Sequence, residues 1–273
     1  MTSPADKAAS FRAIHAGPRA FVIANAWDAG SARILAGLGF EAIATSSGAF
    51  AGTLGRRDGS VTREEAIAHG RAVAEAVDVP VSADLENGFG DAPEAAAETI
   101  RRAGDAGLAG GSIEDASGNP GNPIYGVTQA AERVAAAVEA ARSLPFAFVL
   151  TARCENFLHG RPDLDDTILR LQAFEKAGAD VLFAPGLPDL AAVRTVCAAV
   201  AKPVNFMVGI RGKSFTLAEL EAAGVRRVSL ATSLWRAAMT GLIEAAREVR
   251  EHGTFGYLDR GPPGTEIARF MRG

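Results

Sequence analysis

Short runs of β-branched and apolar residues recur along this chain, separated by longer alanine-rich stretches whose apolar positions follow helical spacing. Such alternation predicts parallel strands joined by crossover helices. Eight runs are readable: Phe21 to Ala24, Glu41 to Thr45, Val79 to Ala83, Gly110 to Ile113, Phe146 to Thr151, Asp180 to Ala184, Val204 to Val208 and Arg227 to Ala231. Eight strand and helix units close a barrel, and 273 residues suffice for one. The expected fold is therefore an α/β protein, a single (β/α)8 TIM barrel over residues 1–273.

The connections entering the strands alternate in kind. Pro18, Pro80, Pro145 and Pro203 lie before or at the start of the odd-numbered runs, where a strand start can do without an N–H. Ala36-Gly37, Ala106-Gly107, Ala177-Gly178 and Ala223-Gly224 precede the even-numbered runs, and each pair suits a helix C-terminus that needs a left-handed residue. The prolines recur at intervals of roughly 60 residues, which suggests a quarter-barrel repeat of two βα units, although proline and glycine punctuate loops generally. Thr62 with Glu65 and Thr216 with Glu219 have capping-box spacing, and Asp91 precedes a Pro93-Glu94 first turn. From His252 the sequence HGTFGYLDRGPPG breaks the last helix, so residues 251–273 are expected to form a tail on the barrel or on a neighbour.

In a parallel barrel the C-terminal ends of the strands share one face, so polar residues placed there meet although they are far apart in sequence. The first run leads into Asn25 and Trp27-Asp28, and the second into Thr45-Ser46-Ser47-Gly48 with Asp58 beyond it. The third leads into Asp84-Leu85-Glu86-Asn87-Gly88-Phe89-Gly90, the fourth into Glu114-Asp115 and the fifth into Arg153, Glu155 and Asn156, while the seventh carries Asn205. Asp84, Glu86 and Glu114 thus bring three carboxylates to one mouth, where their repulsion calls for a cation. Oxygen ligands without histidine or cysteine favour magnesium or manganese over zinc, with waters completing the coordination. For any one of these acids the competing account is a helix cap or a salt bridge.

Arg153 offers forked donors suited to a substrate carboxylate, against the alternative of an ion pair with Glu114 or Glu155. Ser47-Gly48 reads as a small turn whose backbone N–H groups can hold a carboxylate or oxyanion. His159 is either a proton donor or a solvated loop histidine. Arg211 and Lys213, after the seventh run, either meet a second carboxylate or form a solvated basic loop.

Composition narrows the function. The formal charge is only −4, the basic residues form no run longer than a pair, and no aromatics interleave with them, so nucleic-acid binding is not expected. The N-terminal sequence is polar and no stretch is long enough for a membrane span, which predicts a cytoplasmic protein without membrane attachment. Cys154 and Cys197 match no metal-ligand spacing and read as reduced packing thiols.

With these residues in view, the sequence resembles the isocitrate lyase and phosphoenolpyruvate mutase superfamily over essentially the whole barrel. The segment from Asp84 through Glu86 to Gly88-Phe89-Gly90 is similar to its acidic metal motif, Ser47-Gly48 to its substrate-binding turn, and Ile113-Glu114-Asp115 to its fourth-strand acid. Thr151-Ala152-Arg153 with Glu155 is similar to its fifth-strand arginine segment, and Asp58 falls where the family has another acid near the metal.

The resemblance implies magnesium bound chiefly by Asp84, with Glu86 and Glu114 completing the metal set, and chemistry through an enolate next to a 2-oxo or 2-hydroxy acid. Ser47, Gly48, Asp84, Arg153 and Asn205 are then the candidate substrate-binding residues, and Arg153, Glu114 and Asp58 the candidate catalytic set. It also implies a C-terminal helix swapped between the subunits of a homodimer or homotetramer. The isocitrate and methylisocitrate lyases carry a Lys-Cys-Gly-His segment shortly after the fourth-strand acid, whereas this chain has Ser117-Gly118-Asn119-Pro120-Gly121-Asn122-Pro123. The mutases place a histidine after strand six, where this chain has Ala184-Pro185-Gly186.

The expected activity is a magnesium- or manganese-dependent lyase or hydrolase cleaving a carbon–carbon bond of a small 2-oxo or 2-hydroxy dicarboxylate. Phosphonopyruvate and phosphoenolpyruvate mutase chemistry, and a non-catalytic 2-oxo-acid binding protein, are the alternatives.

Overall fold

The computed structural model describes residues 2–271. Its strands are β1 (Phe21–Ala26), β2 (Ile43–Thr45), β3 (Val81–Asp84), β4 (Gly110–Glu114), β5 (Val149–Arg153), β6 (Val181–Phe183), β7 (Val204–Met207) and β8 (Arg227–Ser229). All pair in parallel in chain order, and β1 closes on β8 with Phe21 beside Arg227 and Ile23 beside Ser229. Each of the eight apolar runs overlaps one of these strands, and β1, β3, β4 and β5 extend beyond the C-terminal end of their runs. The helices are α1 (Pro4–Ala16), α2 (Ala29–Gly37), α3 (Ser47–Thr53), α4 (Arg63–Ala76), α5 (Pro93–Asp105), α6 (Val127–Ser143), α7 (Leu164–Lys176), α8 (Leu190–Ala199), α9 (Leu217–Ala222), α10 (Ser233–His252) and α11 (Gly264–Ala268).

Local chemistry explains most of the boundaries. Pro80 and Pro203 stand just before β3 and β7, and each uses only its carbonyl, accepting from the Ile43 and Leu182 amides. Both predicted capping boxes form: Glu65 accepts from the Thr62 amide at 2.9 Å, and Glu219 from the Thr216 amide at 2.8 Å. Asp91 does not cap α5; Ala92 occupies that position, and the Asp91 carboxylate accepts from the Tyr125 hydroxyl at 2.6 Å instead.

Gly107, Gly178 and Gly224 adopt the left-handed backbone expected after a helix. Gly37 does not, because α2 runs on through it and the left-handed residue is Gly39. Gly37 instead answers to packing, since a Cβ there would lie 2.4 Å from the ring of Phe270 in the C-terminal segment. Only a bare Cα lets that segment lie against α2.

Outward residues of the strands pack under the helices in two apolar clusters. A third, with Ala8 and Phe11 of α1 against Phe21, Ala109, Val149 and Val181, plugs the barrel at the N-terminal ends of the strands. Over its twenty residues α10 buries none, and Leu242, Ile243 and Val249 stand exposed on it. Cys154 and Cys197 are free thiols. Among the described residues no helix is long and apolar enough to cross a membrane.

Candidate active site

At the C-terminal mouth a cavity of about 290 Å³ opens between Ser47, Asp58, Asp84 and Arg153 and runs down between the strands. A second, of about 630 Å³, lies over it and takes in Glu86, Glu114, Glu155 and His159. Asp84 ends β3 and is fixed from two sides. Its Oδ2 accepts from the Ser47 amide at 3.1 Å and the Ser47 hydroxyl at 2.9 Å, while its own amide donates to Thr45 Oγ1 at 2.9 Å. Its Oδ1 is buried without a hydrogen-bond partner and lies 3.7 Å from Arg153 Nη1.

Glu86 follows in left-handed backbone at φ 49°, as does Phe89 at φ 59°, and neither is glycine. Such strain persists only where surrounding structure imposes it. The loop around them is held by two arginines: Arg133 of α6 donates to the carbonyls of Asn87, Gly90 and Asp91 and lies over the Tyr125 ring, and Arg63 donates to those of Gly88 and Phe89. Glu86 Oε1 is likewise buried without a hydrogen-bond partner. Burial, reinforced by Asp84 and Asp58 and only partly relieved by Arg153, pushes the Glu86 carboxyl up to about 7. Burial also raises Glu114 well above the usual carboxylate range, against the pull of Arg153.

Arg153 is the positive counterpart. Its Nε donates to Glu155 Oε1 and sits 3.5 Å from Glu114 Oε2, and its guanidinium lies 5.1 Å over the Phe183 ring. Burial opposes the guanidinium's charge, but Glu155, Glu114 and Asp84 outweigh it and hold the pKa above the usual arginine value. The ion pair with Glu155 expected as the alternative is thus present, and Arg153 lines both cavities all the same.

The other candidates divide by what their polar atoms already do. Ser47 opens α3 rather than a free turn, and both its amide and hydroxyl donors serve Asp84. Gly48 is needed for closeness, since a Cβ there would lie 2.9 Å from Asp58 Oδ2. Asp58 is exposed at the rim. His159 Nε2 lies 4.0 Å from Glu155 Oε2 on the wall of the outer cavity. Asn205 sits one step lower, with its amide bonded to Ser229 and Arg227. Several polar residues at the strand ends prove structural. Asp28 caps α2, Asn25 ties β1 to Thr45 and Leu230, Asp115 pairs with Arg170, and Asn156 bonds Asp166. Lys213 donates to the Gly186 carbonyl, and Arg211 is exposed.

Arg227 and Arg133 escape sequence reasoning. The signal for Arg227 is its place in β8: period-two alternation from Ser229 turns both side chains inward. Arg133 acts on carbonyls about forty residues away and leaves no local signal.

A divalent cation fits this donor set. Two buried carboxylate oxygens, on Asp84 and Glu86, have no hydrogen-bond partner, and their neighbours are also acidic. Among the described residues no three acidic, histidine or cysteine side chains are arranged to enclose a metal unaided. Magnesium does not need them, because it binds through one or two carboxylates and keeps several waters.

A closed parallel barrel with an acidic cluster and an arginine at its C-terminal mouth has the layout of a barrel enzyme that works at that face. A family model described as phosphoenolpyruvate phosphomutase matches residues 11–250. The Corynebacterium glutamicum protein named "Probable 2-methylisocitrate lyase 2" is 31% identical over 261 residues, covering 92% of this chain and 83% of that protein. A solved structure from Burkholderia cenocepacia J2315, provisionally assigned as a lyase/mutase, is 52% identical with a TM-score of 0.96, covering 98% of this chain and 96% of the other. The structure of 2,3-dimethylmalate lyase, a PEP mutase/isocitrate lyase superfamily member, is 25% identical with a TM-score of 0.87, covering 99% and 95%. The chain belongs to the PEP mutase/isocitrate lyase superfamily and is an enzyme of its carbon–carbon lyase type.

Proposed function

We propose that this enzyme is a magnesium- or manganese-dependent lyase or hydrolase that cleaves a carbon–carbon bond of a small 2-oxo or 2-hydroxy dicarboxylate through an enolate. The observation that carries the reading is the pair of partnerless buried oxygens, Asp84 Oδ1 and Glu86 Oε1, facing the same mouth as Arg153. The bound ion supplies Lewis-acid polarisation of the substrate's oxygens. Asp84, aimed by Ser47, would hold it, with Glu86 and Glu114 as direct or water-mediated ligands.

Arg153 keeps its Nε on Glu155 and offers its remaining donors to the substrate carboxylate or to the oxygen that becomes negative as the bond breaks. Asp58 at the rim and Glu114 beside Arg153 are the groups positioned to take and return a proton. Ser47 and Asn205 line the space left for the rest of the substrate, and Gly48 lets Asp58 approach it. The Ser117 to Pro123 segment holds no cysteine acid and strand six ends without a histidine, which speaks against isocitrate lyase and mutase chemistry respectively. The enzyme works in the cytoplasm as a homodimer or homotetramer that exchanges α10, a reading supported by the exposed Leu242, Ile243 and Val249.

The test combines metal titration with a substrate panel. Calorimetry should show magnesium or manganese binding that Asp84→Ala abolishes, and unchanged binding would sink the metal assignment. Oxaloacetate, 2-methylisocitrate, isocitrate, substituted malates and phosphonopyruvate are then assayed with magnesium. Turnover of a carbon–carbon substrate supports the proposal, turnover of phosphonopyruvate alone replaces it with mutase chemistry, and uniform silence with retained 2-oxo-acid binding replaces it with a binding protein.

A further inference from the structure

Below the carboxylates the barrel interior is hollow, and polar side chains interrupt its apolar lining of Ile23, Phe183 and Met207. Ser82, Ser112, Asn205, Arg227 and Ser229 line the inner cavity at levels where a packed (β/α)8 barrel carries bulky branched side chains. Arg227 is 5% exposed. Its Nε donates to Asn205 Oδ1 at 2.8 Å, its Nη2 donates to Thr151 Oγ1 at 3.0 Å, and its Nη1 lies 3.4 Å from His15 Nε2. Every one of these partners is neutral. His15 Nδ1 lies 2.8 Å from the Phe11 carbonyl, and burial drives the ring's pKa down to about 3, so Nε2 carries only a lone pair.

Among the described residues no carboxylate oxygen lies within 4.0 Å of this guanidinium. Burial lowers its pKa to about 9, which still leaves it charged at neutral pH. A guanidinium has five N–H donors, and its three contacts leave one on each Nη. An isolated buried charge of this kind is costly and is normally found paired. The α1 plug closes the cavity from below with Phe11 and Phe21, so a counter-ion arrives through the mouth, past Asp84 and Arg153.

We propose that Arg227 anchors an anion subsite in the middle of the barrel, which takes a carboxylate-sized monoanion, and that the distal carboxylate of the substrate is its source. The choice of source rests on the proposed 2-oxo-acid chemistry at the mouth; the subsite itself does not. Neutral Asn205, Thr151 and His15 hold the guanidinium in place without neutralising it, which leaves its charge for the ligand. The serines around the cavity, small and hydroxylated, leave room for a chain and can hydrogen-bond its oxygens.

The test is calorimetry on the magnesium-loaded, full-length protein with pyruvate, oxaloacetate, 2-oxoglutarate and 2-oxoadipate, for wild type, Arg227→Gln and Ser112→Val. The wild type should bind at least one diacid about tenfold more tightly than pyruvate. Both variants should lose that preference and keep pyruvate. Ser112→Val narrows the cavity without touching Arg227, so the question stays decidable if Arg227→Gln misfolds.

Chloride NMR line broadening distinguishes the other source. No diacid preference, but broadening in wild type that the variants lose, upholds the subsite with a free anion as its occupant. Equal affinities for all four acids and no broadening overturn the proposal. Failure of pyruvate itself to bind refutes the reading of the mouth, and the chloride arm alone then upholds or overturns the Arg227 subsite.

Discussion

Glu86 ties the stability of the metal-free enzyme to pH in a direction opposite to that of an ordinary salt-bridged carboxylate. Its pKa rises from 4.5 to about 7 on folding, chiefly through burial and then through Asp84 and Asp58. Between those values the folded protein binds more protons than the unfolded chain, so stability must fall as pH rises. The loss begins near the unfolded pKa of 4.5 and is complete above about 7. At about 1.4 kcal/mol per pH unit the full effect is about 3 kcal/mol, which partial exposure to water reduces to on the order of 2 kcal/mol.

Other groups titrate in the same range. Burial also raises Asp115, to about 6, which adds to the loss, while burial of His15 lowers its pKa to about 3 and works the other way. The diagnostic is therefore the difference between wild type and Glu86→Gln, measured by urea unfolding in EDTA from pH 5 to pH 8. The variant should be the more stable protein at pH 8 by on the order of 2 kcal/mol, and the gap should vanish towards pH 5. Millimolar magnesium should raise wild-type stability most above pH 7, because cation and proton compete for the same carboxylates. A gap that is absent at pH 8, or that does not change with pH, would refute the reasoning.

Two further outcomes are expected. Arg153→Lys retains the charge but not the fork that meets Glu155 and the substrate, so turnover should drop by on the order of 100-fold with little change in melting temperature; normal turnover removes Arg153 from the chemistry, and a collapsed melting temperature makes it a structural ion pair. Light scattering at micromolar concentration should give a dimer or tetramer, because α10 buries none of its residues within the chain, and a monomer would contradict the exchanged helix.

Much of the barrel is legible along the chain because its signals are local. Short β-branched and apolar runs mark β1 to β8, a threonine three residues before a glutamate marks the starts of α4 and α9, and glycine after alanine marks three of the four helix ends. The acidic mouth is legible for the same reason, since a parallel barrel sends every strand end to one face and Asp84, Glu114 and Arg153 are strand ends.

Tertiary structure alone decides which donors remain for a ligand. Ser47 spends its amide and hydroxyl on Asp84, Lys213 is taken by a backbone carbonyl, and Gly37 is a seat for Phe270 rather than a helix stop. Arg133 holds the loop that follows Glu86 from another helix, and Arg227 becomes an unpaired charge only when Asn205, Thr151 and His15, all distant in sequence, surround it without an acid. Residue type and spacing determine where a side chain can point, whereas its hydrogen-bond partners, its burial and hence its charge depend on groups that folding brings from elsewhere in the chain.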